Sequence, residues 1–426
     1  MKLLVSKSSL KGTVAIPASK SHTIRAVAIA SLADGHSVIG NPLASGDTMS
    51  AVDCYRALGA RIDCRQGSEW TVDGTAGEIS VPDAPIDVGN SGTTLRLAMS
   101  SAALSRSDSP ITMTGDEQIQ ARPVGPLLTA LADLGAKARS INANGRPPVT
   151  ISGTLVGGRT SVKCVTSQYL SSLLLAAPLA VKDTEITVTL LNEPDYIRMT
   201  LDWLDKQDIV YENDRMQKFT IPGGQKYKPF DLSIPADFSS ATFFLCAGAM
   251  LQADITLTGL DFADSQPDKA VVDYLRAMGA DISIDAASVR IRGSQLRGAE
   301  IDMNRTPDAL PAMAVAAAFA EGETRLVNVP QARNKETDRI TCMARELKKM
   351  DADVEELPEG LIIRQSKLKP ATLDGRGDHR IVMALSLAAM AIEGRTSIDT
   401  AEAMNVTFPD YVKLMTDIGA NMETED

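Results

Sequence analysis

One pattern recurs six times along the chain at intervals of roughly 70 residues, and it restricts the fold more than any other feature. Each copy opens with a polar entrance to an apolar Ala/Leu helix. A β-branched strand follows, then a loop with an acidic residue, then a second, amphipathic helix that stops before another strand. The entrances are Ser19-Lys20-Ser21, Asn90-Ser91-Gly92-Thr93, Thr166-Ser167-Gln168, Asp237-Phe238-Ser239-Ser240, Pro307-Asp308 and Gly377-Asp378-His379-Arg380. Four exits share a glycine, at Leu58-Gly59-Ala60, Leu134-Gly135-Ala136, Met278-Gly279-Ala280 and Ile418-Gly419-Ala420. Glycine just past a helix end supplies the left-handed stop. The other two exits, Lys206-Gln207-Asp208 and Lys349-Met350-Asp351, are weaker stops. The period is long for a solenoid and suits a small α/β unit.

A second self-match divides the six copies into halves. Ala15-Ile16-Pro17-Ala18-Ser19 resembles Ser233-Ile234-Pro235-Ala236-Asp237, each just ahead of an entrance. The predicted domains are therefore 16–233, and 1–15 with 234–426. The chain crosses between them at the two Ile-Pro segments, and the strand Lys2 to Val5 pairs with the second half.

Composition narrows the function. Of the 426 residues, 44% are apolar, ample for large cores, while aromatics are only 4%, so those cores are aliphatic. A net charge of −11 argues against nucleic-acid and acidic-membrane partners, which need a basic footprint. Cys54, Cys64, Cys164, Cys246 and Cys342 are odd in number and never in C-x-x-C spacing, so free thiols in a reducing cytoplasm are expected. Leu3-Leu4-Val5 is too short for a signal-peptide core. The apolar runs at 170–181 and 309–320 fall below the ~20 residues of a membrane span.

The entrances carry the chemistry. A helix N-terminus has unpaired N–H groups and about half a positive charge. Ser, Thr, Asp and Asn there are good caps. Basic residues are harder to explain by capping, yet Lys20, Arg25, Arg96 and Arg380 lie in or near the first turns of apolar helices. A bound anion turns that penalty into a gain. Ser21 and Arg25 share a helical i,i+4 face. Lys335 and Arg339 have the same spacing, a like-charge pair that an anion, or Glu336 and Asp338, would relieve. Gly92 permits close backbone approach, with Ser91, Thr93 and Thr94 supplying hydroxyls. The Asp237 entrance has no basic residue and is expected only to cap its helix. Asp308 and Glu336 are carboxylates able to move protons among these cations. His22, His36 and His379 lack metal-ligand spacing, and no P-loop or G-x-G-x-x-G follows a strand. The substrate expected is a phosphorylated, carboxylated small molecule.

In order and spacing, these motifs resemble the enolpyruvyl transferases over essentially the whole chain. The marks are Ser19-Lys20-Ser21 with Arg25, Gly89-Asn90-Ser91-Gly92-Thr93 with Arg96, Ala121-Arg122-Pro123, Ser167-Gln168, Asn334-Lys335-Glu336-Thr337-Asp338-Arg339, Asp378-His379-Arg380 and Phe408-Pro409-Asp410. The resemblance implies an α/β protein of two similar domains with a cleft between them. Each domain would hold three βαβαββ units around a pseudo-threefold axis, an inside-out α/β barrel. It implies transfer of the enolpyruvyl group of phosphoenolpyruvate to the 5-hydroxyl of shikimate 3-phosphate with release of phosphate, a step toward chorismate and the aromatic amino acids.

By the same resemblance, Lys20, Asn90, Gly92, Arg96, Arg122, Gln168, Arg339 and Arg380 serve phosphoenolpyruvate. Lys20, Ser21, Arg25, Thr166, Ser167, Gln168, Tyr196, Asp308, Gln331 and Lys335 serve shikimate 3-phosphate. Asp308 takes the hydroxyl proton, and Glu336 with Lys20 handles the methylene. No metal or organic cofactor is implied, and the enzyme is expected to be monomeric. Three positions depart from the family: Glu193 replaces a phosphate-binding serine, Val406 a lysine and Gln331 an asparagine. Glu117 occupies the place of the reactive cysteine in the sister enzyme acting on UDP-N-acetylglucosamine. The alternatives left open are a carboxyvinyl transferase for another phosphorylated or carboxylated acceptor, and a non-catalytic anion-binding relative.

Overall fold

In the computed structural model, which describes residues 1–426, the six copies become six four-stranded sheets with one shared strand order. The sheet of Ile86–Asp87, Ile111–Thr114, Val149–Ser152 and Lys137–Ser140 shows the rule. Its first two strands are parallel and its other two pairings antiparallel. A parallel pair requires a crossover, and the entrance helix Gly92–Ala102 is that crossover. The amphipathic helix Gly125–Asp133 then leads into the closing hairpin.

The chain divides into two compact units, Ala18–Ile234, and Met1–Pro17 with Pro235–Asp426. In the second unit the amino-terminal segment completes two sheets. Leu10–Ala15 runs parallel to Ala253–Thr258, and Lys2–Ser6 lies between Arg395–Asp399 and Asn421–Glu425. Each unit has its own aliphatic core.

The entrance helices form the centres of those cores. All twelve residues of His379–Met390 are buried, and Phe238–Met250 buries every residue but its last. A helix apolar all round has no solvent face to keep. Polar groups along it must then find internal partners, as Ser386 does with the Tyr411 hydroxyl, and its ends are the natural place for the rest. Ser19, Ser91, Asp237 and Asp378 do cap their helices through side-chain oxygens. The other two entrances differ. Ser167 has helical dihedrals and makes no side-chain cap bond, and Pro307–Ala309 is a tight turn before the helix Leu310–Phe319.

The exits behave as helix-stop chemistry requires. Gly59, Gly135, Gly279 and Gly419 all have φ between 95° and 112°. At the two exits without glycine, Asp208 (φ 53°) and Asp351 (φ 66°) take the left-handed conformation, which aspartate tolerates better than most residues.

Candidate active site

In the first unit, the entrance residues are tied together by bonds that span much of the sequence. Lys20 begins the helix Lys20–Leu32, and its Nζ lies 3.0 Å from Asp47 Oδ2. Asp47 sits in the first turn of Gly46–Ala57, and its backbone carbonyl accepts from Thr94 Oγ1 at 3.4 Å. Arg96 Nη1 donates to Gln168 Oε1 at 2.6 Å, and Gln168 Nε2 donates to Thr93 Oγ1 at 3.0 Å. Arg122 Nη2 reaches Asn90 Oδ1 at 3.4 Å. A Cβ on Gly92 would lie 2.6 Å from Arg122 Nη1 and 2.7 Å from Arg96 Nη1. A side chain there would push two guanidinium groups aside, so the glycine's role goes beyond the backbone approach expected from sequence.

Arg25 is buried beside the same helix starts. Its Nε donates to Thr200 Oγ1 at 3.0 Å, and Nη2 lies 3.5 Å from Ser171 Oγ and 3.4 Å from the Tyr196 carbonyl. Nη1 donates to the Ser21 carbonyl at 3.0 Å, so the shared face of Ser21 and Arg25 is realised through the backbone. Burial pulls the Arg25 guanidinium down to about 10, with Tyr196 opposing, so it stays charged at neutral pH. Glu193 reaches the start of the helix Gln168–Ala176. Its Oε2 accepts from Thr166 Oγ1 (3.2 Å), the Ser167 N–H (3.0 Å) and Ser167 Oγ (2.7 Å).

The second unit holds the remaining residues around one buried cation. Arg339 donates from Nη1 to Asp308 Oδ1 at 2.6 Å, from Nε to Asp378 Oδ2 at 2.9 Å, and from Nη2 to Glu336. Lys335 Nζ and Arg380 Nη2 approach Asp308 at 3.7 and 3.5 Å. Burial alone would raise the Asp308 carboxyl, but Arg380, Lys335 and Arg339 outweigh it and hold the group well below the carboxylate range. Arg339 is the mirror case. Burial works against its charge, while Asp378, Glu336 and Asp308 hold it above the ordinary value.

Two expectations need correction here. Lys335 and Arg339 are not neighbours on a helix face, because the helix starts at Arg339 and Lys335 lies outside it in extended backbone. They meet at Asp308 instead. Glu336 does neutralise Arg339, whereas Asp338 caps the helix and pairs with Arg333. The Asp237 entrance also does more than cap, since Ser239 Oγ accepts from Arg380 Nη2 at 2.8 Å. Gln331 is buried with Nε2 on the Asn304 carbonyl at 2.9 Å. Val406 ends the short turn Ala401–Val406 and is half-buried.

Sequence reasoning passed over Asp47 and Asp378 as functional partners. Both read locally as helix-start residues, and only the fold shows which cation each one faces. The five free cysteines have thiols raised chiefly by burial, which makes them poor nucleophiles. Chemically, the arrangement offers arginines and lysines for phosphate and carboxylate groups, with cation-held carboxylates among them.

The sequence model of the EPSP synthase (3-phosphoshikimate 1-carboxyvinyltransferase) family matches residues 5–415. A 3-phosphoshikimate 1-carboxyvinyltransferase from Acetivibrio thermocellus is 54% identical, covering 100% of both chains. One from Methanocaldococcus jannaschii is 42% identical, covering 99% of each. A solved EPSP synthase from Acinetobacter baumannii superimposes with a TM-score of 0.84 at 27% identity over 100% of both chains. The fold is accordingly the two-domain inside-out α/β fold of those structures. Matching over nearly its whole length in sequence and structure, the chain belongs to the EPSP synthase (3-phosphoshikimate 1-carboxyvinyltransferase) family.

Proposed function

We propose that the residues gathered in the two units act on one pair of substrates, phosphoenolpyruvate and shikimate 3-phosphate, in the shikimate-pathway transfer that gives the family its name. The 5-hydroxyl oxygen attacks C2 of phosphoenolpyruvate while C3 gains a proton, giving a tetrahedral intermediate. Loss of a C3 proton and departure of phosphate restore the double bond. Asp308 accepts the hydroxyl proton, and Glu336 with Lys20 serves C3. Arg122, Arg339, Arg380, Lys20 and Gln168 hold phosphoenolpyruvate, with Asn90, Gly92 and Arg96 shaping that end. Ser21, Arg25, Thr166, Ser167, Tyr196, Gln331 and Lys335 hold the acceptor.

The observation that carries this reading is Asp308 among three cations. Without substrate they hold it too acidic to be a good base. Bound phosphate and carboxylate groups would draw on the same cations and raise its proton affinity. The base is then switched on by the substrates it serves. The enzyme is read as a cytoplasmic monomer working without a cofactor. No helix is long and apolar enough to cross a membrane. Phosphate release from phosphoenolpyruvate with shikimate 3-phosphate tests the proposal. Turnover only with another acceptor would refute the acceptor assignment, and binding without turnover would refute catalysis.

A further inference from the structure

We propose that Glu193 is a built-in occupant of the acceptor's phosphate subsite, and that its displacement sets the affinity for phosphorylated acceptors. The inference rests on the reading above that Thr166 and Ser167 receive the acceptor's phosphate. Glu193 is 1% exposed, and one carboxylate oxygen accepts from a backbone N–H and two hydroxyls at the start of a nine-residue helix. These are the donors a phosphoryl group would use there. Two anions cannot share them, because each would lose its hydrogen bonds and feel the other's charge.

The placement follows from the backbone. Glu193 is the residue before the helix Pro194–Lys206 and has left-handed dihedrals (φ 59°, ψ 49°). It leaves its own helix without a side-chain cap and caps a neighbouring one instead. Arg25 reaches both helix starts, through Ser171 on one and the Tyr196 carbonyl on the other. For a phosphate to take these donors, the Glu193 carboxylate must leave them, while Arg25 stays bound to Thr200, Ser171 and the Tyr196 carbonyl.

The effect follows from occupancy. If Glu193 holds the donors nine-tenths of the time, apparent acceptor affinity falls about tenfold, since only the vacated fraction is competent. Glu193→Gln removes the charge at nearly constant shape, and Glu193→Ser also removes the reach. Thermal melting establishes that each variant folds, and steady-state kinetics then vary each substrate separately. KM for shikimate 3-phosphate is expected to fall about tenfold or more in at least one variant, with KM for phosphoenolpyruvate within about twofold of the parent. A residue that merely held two helix starts together would lower stability or kcat without tightening the acceptor. The proposal is overturned if neither variant tightens shikimate 3-phosphate. If the parent enzyme does not turn over this pair, the functional reading fails separately. Calorimetric titration with inorganic phosphate then decides the exchange, tighter binding in a variant supporting it and unchanged binding in both overturning it.

Discussion

Replacing Arg339 by Met keeps an unbranched, flexible stem and deletes the charge that three carboxylates share. Arg339 is 1% exposed and bonds Asp308, Glu336 and Asp378. Breaking a buried pair by removing one partner costs about 3–5 kcal/mol, because the partner left behind keeps its desolvation. The lower end applies here. Asp308 retains Arg380 and Lys335, and Asp378 retains the Thr337 hydroxyl at 3.0 Å and the Arg380 N–H at 2.9 Å. For a folding unit of this size, about 3 kcal/mol lowers Tm by roughly 6 to 12 °C. The pH dependence sharpens the test. Asp308 has a depressed folded-state pKa, so its stabilisation is complete above the unfolded value of about 4 and is lost only as pH falls through its lowered range. In the variant Asp308 has lost one of its three cations and takes up a proton more readily, so the gap between parent and variant should narrow from pH 7 to pH 4. Melting curves at both pH values decide it. A loss below about 2 °C at pH 7, or a gap that widens in acid, would refute the reasoning.

Asp308→Ala should leave the protein folded and lower kcat at least about a hundredfold, the scale of a lost general base, and near-normal turnover in the phosphate-release assay would exclude that role. Gly92→Ala must push two guanidinium groups aside, so KM for phosphoenolpyruvate should rise about tenfold or more while KM for shikimate 3-phosphate moves less; equal shifts would mean that Arg96 and Arg122 do not act at one substrate. His379 is buried, and burial pulls its imidazole down to about 3 against the opposing pull of Glu336 and Asp378. As pH falls from about 6.5 toward 3, the unfolded chain binds a proton that the folded one refuses, costing up to about 1.4 kcal/mol per pH unit. His379→Gln should flatten the acid limb of a Tm-against-pH curve by that slope, and parallel curves would contradict the burial argument.

The parts of the structure legible in the sequence are those that one stretch of chain decides for itself. Gly59, Gly135, Gly279 and Gly419 mark helix ends because a left-handed residue is needed within one turn. Ser19, Ser91 and Asp378 mark beginnings because a free N–H lies two or three residues ahead. The crossed contribution of Lys2–Ser6 was legible too, since an isolated apolar strand ahead of the first repeat must find a partner sheet. Pairings across tens of residues were not. Nothing near Lys20 announces Asp47, and Asp378 reads as a cap until the fold sets it against Arg339. The i,i+4 spacing of Lys335 and Arg339 misled because spacing implies a shared face only inside a helix, and this helix begins at the second residue of the pair. The Asp237 entrance looked purely structural because Arg380, which bonds its Ser239, comes 141 residues later.

Those long-range pairings change what an anion-ready helix start means in this protein. The strongest donors at the entrances already face an internal anion: Lys20 faces Asp47, the Thr166–Ser167 donors face Glu193, and Arg339 faces Asp308, Glu336 and Asp378. Internal carboxylates offset part of the cost of burying Lys20 and Arg339. On the proposed function, binding two substrates rich in phosphate and carboxylate would then be an exchange of anions rather than the filling of an exposed positive pocket. Such an exchange gives up affinity, since each internal carboxylate must be displaced or share its cation. It gains selectivity, because an anion succeeds only where it matches several donors at once, as a phosphate does and a lone chloride cannot. It also supplies a reason for the catalytic carboxylate to stand among cations. If Asp308 is the base proposed above, the event that loads the substrates would also withdraw positive charge from it, so its basicity would rise when a hydroxyl is present to use it.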